Sequence, residues 1–79
     1  MPVSVLAEDR LRVMRRLLAD GRPAYVVFDD ATIERIALAL PSSLADLARL
    51  HGIGPRKLEL YGDAVLVAVE DARAAAGAA

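Results

Sequence analysis

The chain has 79 residues, with ten Lys and Arg against eleven Asp and Glu for a formal net charge of −1. A chain of this length forms one domain, buries only about 60% of the surface its unfolded form exposes, and here has no cysteine to staple it. The same numbers exclude a zinc cluster, since there is one histidine and no cysteine, and an autonomous, tight nucleic-acid binder, whose footprint is strongly basic. The longest apolar run, Ala64 to Val69, falls far short of the roughly 20 residues of a membrane span. Met1-Pro2-Val3-Ser4 lacks the basic start and apolar stretch of a signal peptide, which fits an intracellular location. Sixteen Ala and twelve Leu beside 4% aromatics favour helices with an aliphatic core over sheet.

In chain order, the first helix is expected from about Leu6 to Asp20, with Leu11, Met14 and Leu18 on one stripe of a 3.6-residue period. Glu8 and Arg12 form a favourably ordered i,i+4 pair, and Gly21 and Pro23 supply the stop. Ala24 to Phe28 has the composition of a strand but no partner strand, so an extended or tightly turned connector is expected. Asp30 is the expected N-cap of a second helix, Ala31 to Leu40, in which Ile33, Ile36, Ala37 and Leu40 match the full apolar template. Pro41 ends it, and Ser42 or Ser43 caps a third helix whose buried side is Leu44, Leu47 and Leu50. His51-Gly52-Ile53-Gly54, followed by Pro55 at a plausible first helical position, describes a tight hairpin between helices. A short fourth helix, Pro55 to Tyr61, is expected to stop at Gly62. Asp63 then caps a fifth, with Val65, Leu66, Val69 and Ala72 on one face. The fold class is all-α: one domain over residues 1–79, a compact five-helix bundle with a core from about 6 to 72 and a fraying Ala-rich tail from 73 to 79.

Charge is distributed unevenly. Residues 1–22 hold five basic and three acidic side chains, residues 23–79 five basic and eight acidic. Asp29 and Asp30 at a helix start read as a cap and a solvated neighbour, not as a metal or acid/base pair. His51 has no nucleophile near it in sequence, and no glycine-rich run ends in the Gly-Lys-Ser/Thr of a phosphate-binding loop. No catalytic group, cofactor or metal is expected. Phosphate contact is better motivated. The hairpin formed by Gly52, Ile53 and Gly54 offers main-chain amides beside a helix N-terminus, and Arg56 and Lys57 lie in that helix's first turn, where cations are locally unfavourable. Arg12, Arg15, Arg16 and Arg22 form a second basic group on the first helix and its exit, and Tyr25 is a candidate base-stacking residue. A different reading assigns Glu59, Asp63, Glu70 and Asp71 to a protein-interaction face for a basic partner or sister domain.

Three blocks of residues together resemble the HRDC (helicase and RNase D C-terminal) domain. They are Leu11-Arg12-x-x-Arg15-Arg16-x-Leu18-Ala19, Pro23-Ala24-Tyr25-Val26-Val27-Phe28-x-Asp30-Ala31-Thr32-Ile33, and Gly52-Ile53-Gly54-x-x-Lys57-Leu58-x-x-Tyr61-Gly62. With Pro41 and Leu47 between them they span roughly residues 6–70. The resemblance is to the domain in bacterial RecQ helicases, with RNase D-type nucleases as the other host. It implies a five-helix accessory module containing a helix-hairpin-helix-like turn, acting in DNA repair and recombination in the bacterial cytoplasm at the nucleoid, with single-stranded or branched DNA and other parts of the parent enzyme as partners. The module is expected to be monomeric and one part of a larger polypeptide, since the chain lacks the motifs of an ATPase. Its net charge departs from a DNA-binding copy, and because single-strand affinity rests largely on counterion release, weak DNA contact is expected.

Overall fold

The structure, a computed structural model describing residues 1–77, contains four α-helices and one 3₁₀ turn. Helix α1 spans Val3–Ala19, the 3₁₀ turn Ala24–Val26, α2 Asp30–Ala39, α3 Leu44–Ala48 and α4 Pro55–Gly77. The two long helices, α1 and α4, pack along each other, α2 crosses α1, and the short α3 lies on α4. The core is aliphatic apart from one ring. Leu11, Val27, Phe28, Ile33, Ile36, Leu47, Val65 and Val69 are its largest fully buried side chains.

The apolar stripe of α1 is as its spacing predicts. Leu11 is buried, and Met14 and Leu18 pack against the core from the edge. The helix starts three residues earlier than expected because the Pro2 carbonyl accepts the Val5 and Leu6 N–H groups. At its far end Asp20, not Gly21, takes the first left-handed position (φ 49°), and its N–H donates to the Arg16 carbonyl. The connector turns tightly: Val27 N–H donates to the Ala24 carbonyl, which closes the 3₁₀ turn and tucks Val27 and Phe28 under the helices.

Two expectations are corrected at α2 and α4. The N-cap of α2 is Asp29, whose carboxylate accepts the Thr32 N–H at 2.8 Å, while Asp30 is already helical. Adjacent aspartates are equivalent as local signals, and the long-range partners of Asp30, described below, decide which one caps. Gly62 does not end a helix: α4 runs unbroken from Pro55 to Gly77, so the expected fourth and fifth helices are one. Glycine in a helix interior costs about 1 kcal/mol relative to Ala, a penalty that packing offsets here. Gly62 is buried, and a Cβ placed on it would meet Leu44 Cδ2 at 2.7 Å. The missing side chain is what lets α3 lie close to α4. Ser43 caps α3 by accepting the Asp46 N–H at 3.0 Å. Leu47 is buried there, Leu50 half-buried, and Leu44 more exposed than its place on the expected inner face implies.

Residues 73–77, for which composition predicts fraying, continue α4. The Arg73 guanidinium donates to the Leu40 carbonyl, closing the end of α2 where Leu40 itself is left-handed (φ 50°), and lies 3.7 Å from Glu70. Residues 78 and 79 of the expected tail lie outside the described residues. No helix among the described residues is long and apolar enough to cross a membrane.

Candidate nucleic-acid interface

The cationic residues singled out in the sequence fall into two groups on either side of the Phe28–Asp29 turn. In the first, α1 presents Arg12 and Arg15 toward the start of α2. Arg15 Nη1 lies 2.8 Å from Asp30 Oδ1 and donates to the Phe28 carbonyl at 3.1 Å. Arg12 reaches Asp30 Oδ1 at 3.1 Å with one nitrogen and Glu8 Oε1 at 2.8 Å with the other. Asp30 thus ties α1 to the first turn of α2. The spacing on α1 predicts only the Glu8–Arg12 pair. Asp30, eighteen residues from Arg12, is the partner no local pattern reveals.

Arg22 folds back on the end of α1, its Nε donating to the Ala19 carbonyl at 2.8 Å and its Nη2 to the Leu18 carbonyl at 2.9 Å. Arg16 is exposed, with its side chain in no ion pair or hydrogen bond among the described residues. These four arginines, with Ala19, Gly21 and Ala24, line an open cleft of about 450 Å³. An adjoining cleft runs from Arg15 past Tyr25 to Asp29 and Asp30. Tyr25 stands 69% exposed on the 3₁₀ turn, an uncommon position for an aromatic ring in a chain with only three.

The second group lies at the turn between α3 and α4. Gly52 has φ +96°, and its Cα lies so close to α2 that a Cβ would meet Thr32 Oγ1 at 2.5 Å. Arg35, which sequence reasoning missed, clamps this turn from α2 by donating to the His51 carbonyl at 2.7 Å. Its position on α2, six residues after the capping Asp29, was visible in the sequence, but its partner was not. Ile53 is buried and anchors the turn in the core, while Gly52 and Gly54 remain exposed. Arg56 is exposed and, like Arg16, has no side-chain partner among the described residues. Lys57 is half-buried, with Nζ 5.5 Å from the centroid of the Phe28 ring. That ring also meets Tyr61 edge-on at 5.7 Å. Phe28 is therefore the piece joining the two groups: its carbonyl holds Arg15 and its ring carries Lys57.

Charge states around the turn follow from these contacts. Hydrogen bonds from Arg15 and then Arg12 hold the Asp30 carboxyl below its usual range, and the Thr32 cap does the same for Asp29. A carboxyl with a depressed folded-state pKa contributes stability that is present above its unfolded value, near 3.8 for aspartate, and is lost as pH falls through the lower folded value. Asp30→Asn is accordingly expected to lower stability to urea at neutral pH and to lose this deficit in acid. Helical circular dichroism at about pH 7 and about pH 2 measures it. An equal deficit at both would mean that charge pairing is not its origin.

Among the described residues, no group of three or more His, Cys, Asp or Glu is placed to hold a metal ion, and His51 is an exposed turn residue. Fold and surface together define a small all-helical domain with two cationic groups around one buried aromatic. A family model described as the HRDC domain matches residues 7–69, and the chain belongs to that family. It is 34% identical over 67 residues to the ATP-dependent DNA helicase RecQ of Haemophilus influenzae, covering 82% of this chain and 11% of that protein. Against the ATP-dependent DNA helicase UvrD2 of Mycobacterium tuberculosis the identity is 57% over 44 residues, 56% of this chain and 6% of that protein. Among solved structures it is similar to the D. radiodurans RecQ HRDC domain 3, with a TM-score of 0.82 and 37% identity over 86% of this chain and 92% of that one. The chain thus spans only about a tenth of the RecQ relative's length.

Proposed function

We propose that this domain is a non-catalytic accessory module of a bacterial DNA helicase that contacts single-stranded or branched DNA weakly and tunes how the parent engages it. The observation that carries the reading is an exposed tyrosine beside a cleft lined by four arginines, on a chain that is otherwise acidic. The relatives named above are DNA helicases by name, which supports a helicase host over a nuclease. The turn at Gly52–Gly54 acts in this reading as a helix-hairpin-helix-like corner, its amides beside the start of α4 with Arg56 and Lys57.

The parts divide by availability. Arg16 and Arg56 are free to meet phosphate, and Tyr25 is free to stack on a base. Arg12 and Arg15 are already neutralised by Asp30 and Glu8 and position the surface instead of supplying its charge. Few free cations mean few released counterions, and hence weak binding.

Fluorescence anisotropy with labelled oligothymidylate across a salt series tests this. Arg16→Ala and Arg56→Ala are each expected to flatten the log–log salt slope by about 0.7. Tyr25→Ala is expected to weaken binding by about 1–3 kcal/mol at any salt. No measurable affinity at the lowest salt, or slopes unmoved by both arginine variants, would defeat the proposal.

A further inference from the structure

A further concavity lies away from both cationic groups. Helices α1 and α4 enclose an open groove of about 630 Å³ walled by Val13, Leu17, Ala64 and Val67. Leu17 is 73% exposed and Val67 61%, with Val13 about half exposed beside them. Contiguous apolar surface of this kind on a small soluble domain marks an interaction site, whereas scattered single residues do not. Here the residues are contiguous: Val13 and Leu17 are one helical turn apart, as are Ala64 and Val67, and the two pairs line the same groove.

The groove also carries charge. Asp9 and Asp71 line it, and neither is in an ion pair among the described residues. The one cation lining it, Arg10, turns its guanidinium toward the Leu6 carbonyl of its own helix. Among the described residues, Asp63 and Glu59 are exposed on α4 without partners, and of that helix's acids only Glu70 has one, in Arg73. A groove between two helices with an apolar floor and unpaired carboxylates at its edge complements one kind of occupant. That occupant is a helix with leucine-like side chains at i, i+3, i+4 and i+7 and Lys or Arg on the borders of the stripe. A second copy of this chain fits poorly, because a symmetric pairing presents the same patch to itself and brings four carboxylates together against two arginines.

We propose that the α1–α4 groove is a docking site for a basic amphipathic helix of a partner polypeptide, with Val13, Leu17 and Val67 as anchors and Asp9 and Asp71 selecting its charge. The site shares no residue with the cationic cleft, so it stands or falls separately from the nucleic-acid reading. Charges at the edge act chiefly on partner choice and association rate, and the apolar anchors hold the complex.

The probe is a synthetic helical peptide of about four turns carrying that leucine stripe flanked by lysines, titrated into the isotope-labelled 79-residue chain and followed by methyl NMR. Shifts are expected at Val13, Leu17 and Val67, with an affinity at least about tenfold above that of the same peptide bearing glutamates. Asp9→Asn with Asp71→Asn is expected to erase most of that preference while leaving the shifts in place. Leu17→Ala with Val67→Ala, at exposed positions the fold does not need, is expected to abolish binding. Equal affinity for the two peptides overturns the proposal, as do shifts at other methyls. So do the same methyl shifts produced by oligothymidylate or by raising the concentration of the chain alone, which would assign the groove to DNA or to self-association.

Discussion

Phe28→Ala is expected to destabilise the domain by about 3–5 kcal/mol, the range for removing a buried phenyl ring. Phe28 is the only phenylalanine, is 1% exposed, and sits where α1, α2 and α4 meet. Truncation removes its transfer free energy and leaves a cavity bounded by three helices that cannot collapse independently. That range includes two specific losses: the edge-on contact with Tyr61, about 0.5–1.5 kcal/mol, and the seat of the Lys57 ammonium, about 0.5–1 kcal/mol at a partly solvated site. Domains are stable by roughly 0.05–0.15 kcal/mol per residue, so one side chain here carries about a quarter or more of the whole. Urea unfolding followed by circular dichroism measures it, with Phe28→Leu expected to recover more than half of the loss by refilling most of the volume. A deficit below about 1 kcal/mol for Phe28→Ala would show that the ring is not the keystone its contacts describe. Because the ring also seats Lys57, the variant is expected to loosen that cationic group, while the Phe28 carbonyl that accepts from Arg15 is retained, so its DNA affinity is interpretable only beside its stability.

The parts of this fold that were legible in the sequence are those set by local periodicity. Ile33, Ile36, Ala37 and Leu40 fall on the inner face of α2, and Leu11 with Met14 and Leu18 on that of α1, because a 3.6-residue repeat needs no knowledge of its partner. Gly62 was misleading for the opposite reason. Its local preference is to end a helix, yet its role is set by Leu44, which approaches from α3. The same division runs through the candidate site. That Arg12, Arg15, Arg16 and Arg22 make a basic face is a one-dimensional fact, whereas their sorting into paired and free depends on Asp30 and on the main-chain ends of α1. The α1–α4 groove escaped notice because its two walls lie some fifty residues apart. Val13 and Leu17 look like a widening of an ordinary buried stripe until Val67 is placed opposite them.

Gly52→Ala is expected to cost about 2–4 kcal/mol, although it adds a single methyl group at an exposed position. Two separate penalties meet there. At φ +96° an L-residue is strained by about 1–3 kcal/mol whatever surrounds it. The new Cβ would also lie 2.5 Å from Thr32 Oγ1 and 3.3 Å from its Cγ2. Thr32 is buried, its χ1 is stiff because it is β-branched, and its backbone N–H is fixed by the Asp29 cap, so it has little room to yield. Displacing the turn instead would break the Arg35 hydrogen bond to the His51 carbonyl and pull Ile53 from the core. Gly54, two residues on, has neither feature: its φ is not positive and nothing lies within 4 Å of a Cβ built on it. Gly54→Ala is therefore expected to stay within about 0.5 kcal/mol of the parent, as surface substitutions do. Pairing Gly52→Ala with Thr32→Ala separates the two penalties in a double-mutant cycle. The clash is relieved in the double variant while the backbone strain persists, so the two changes are expected to couple favourably by about 1 kcal/mol or more. Strict additivity would mean that the approach to Thr32 is not what makes glycine necessary at position 52.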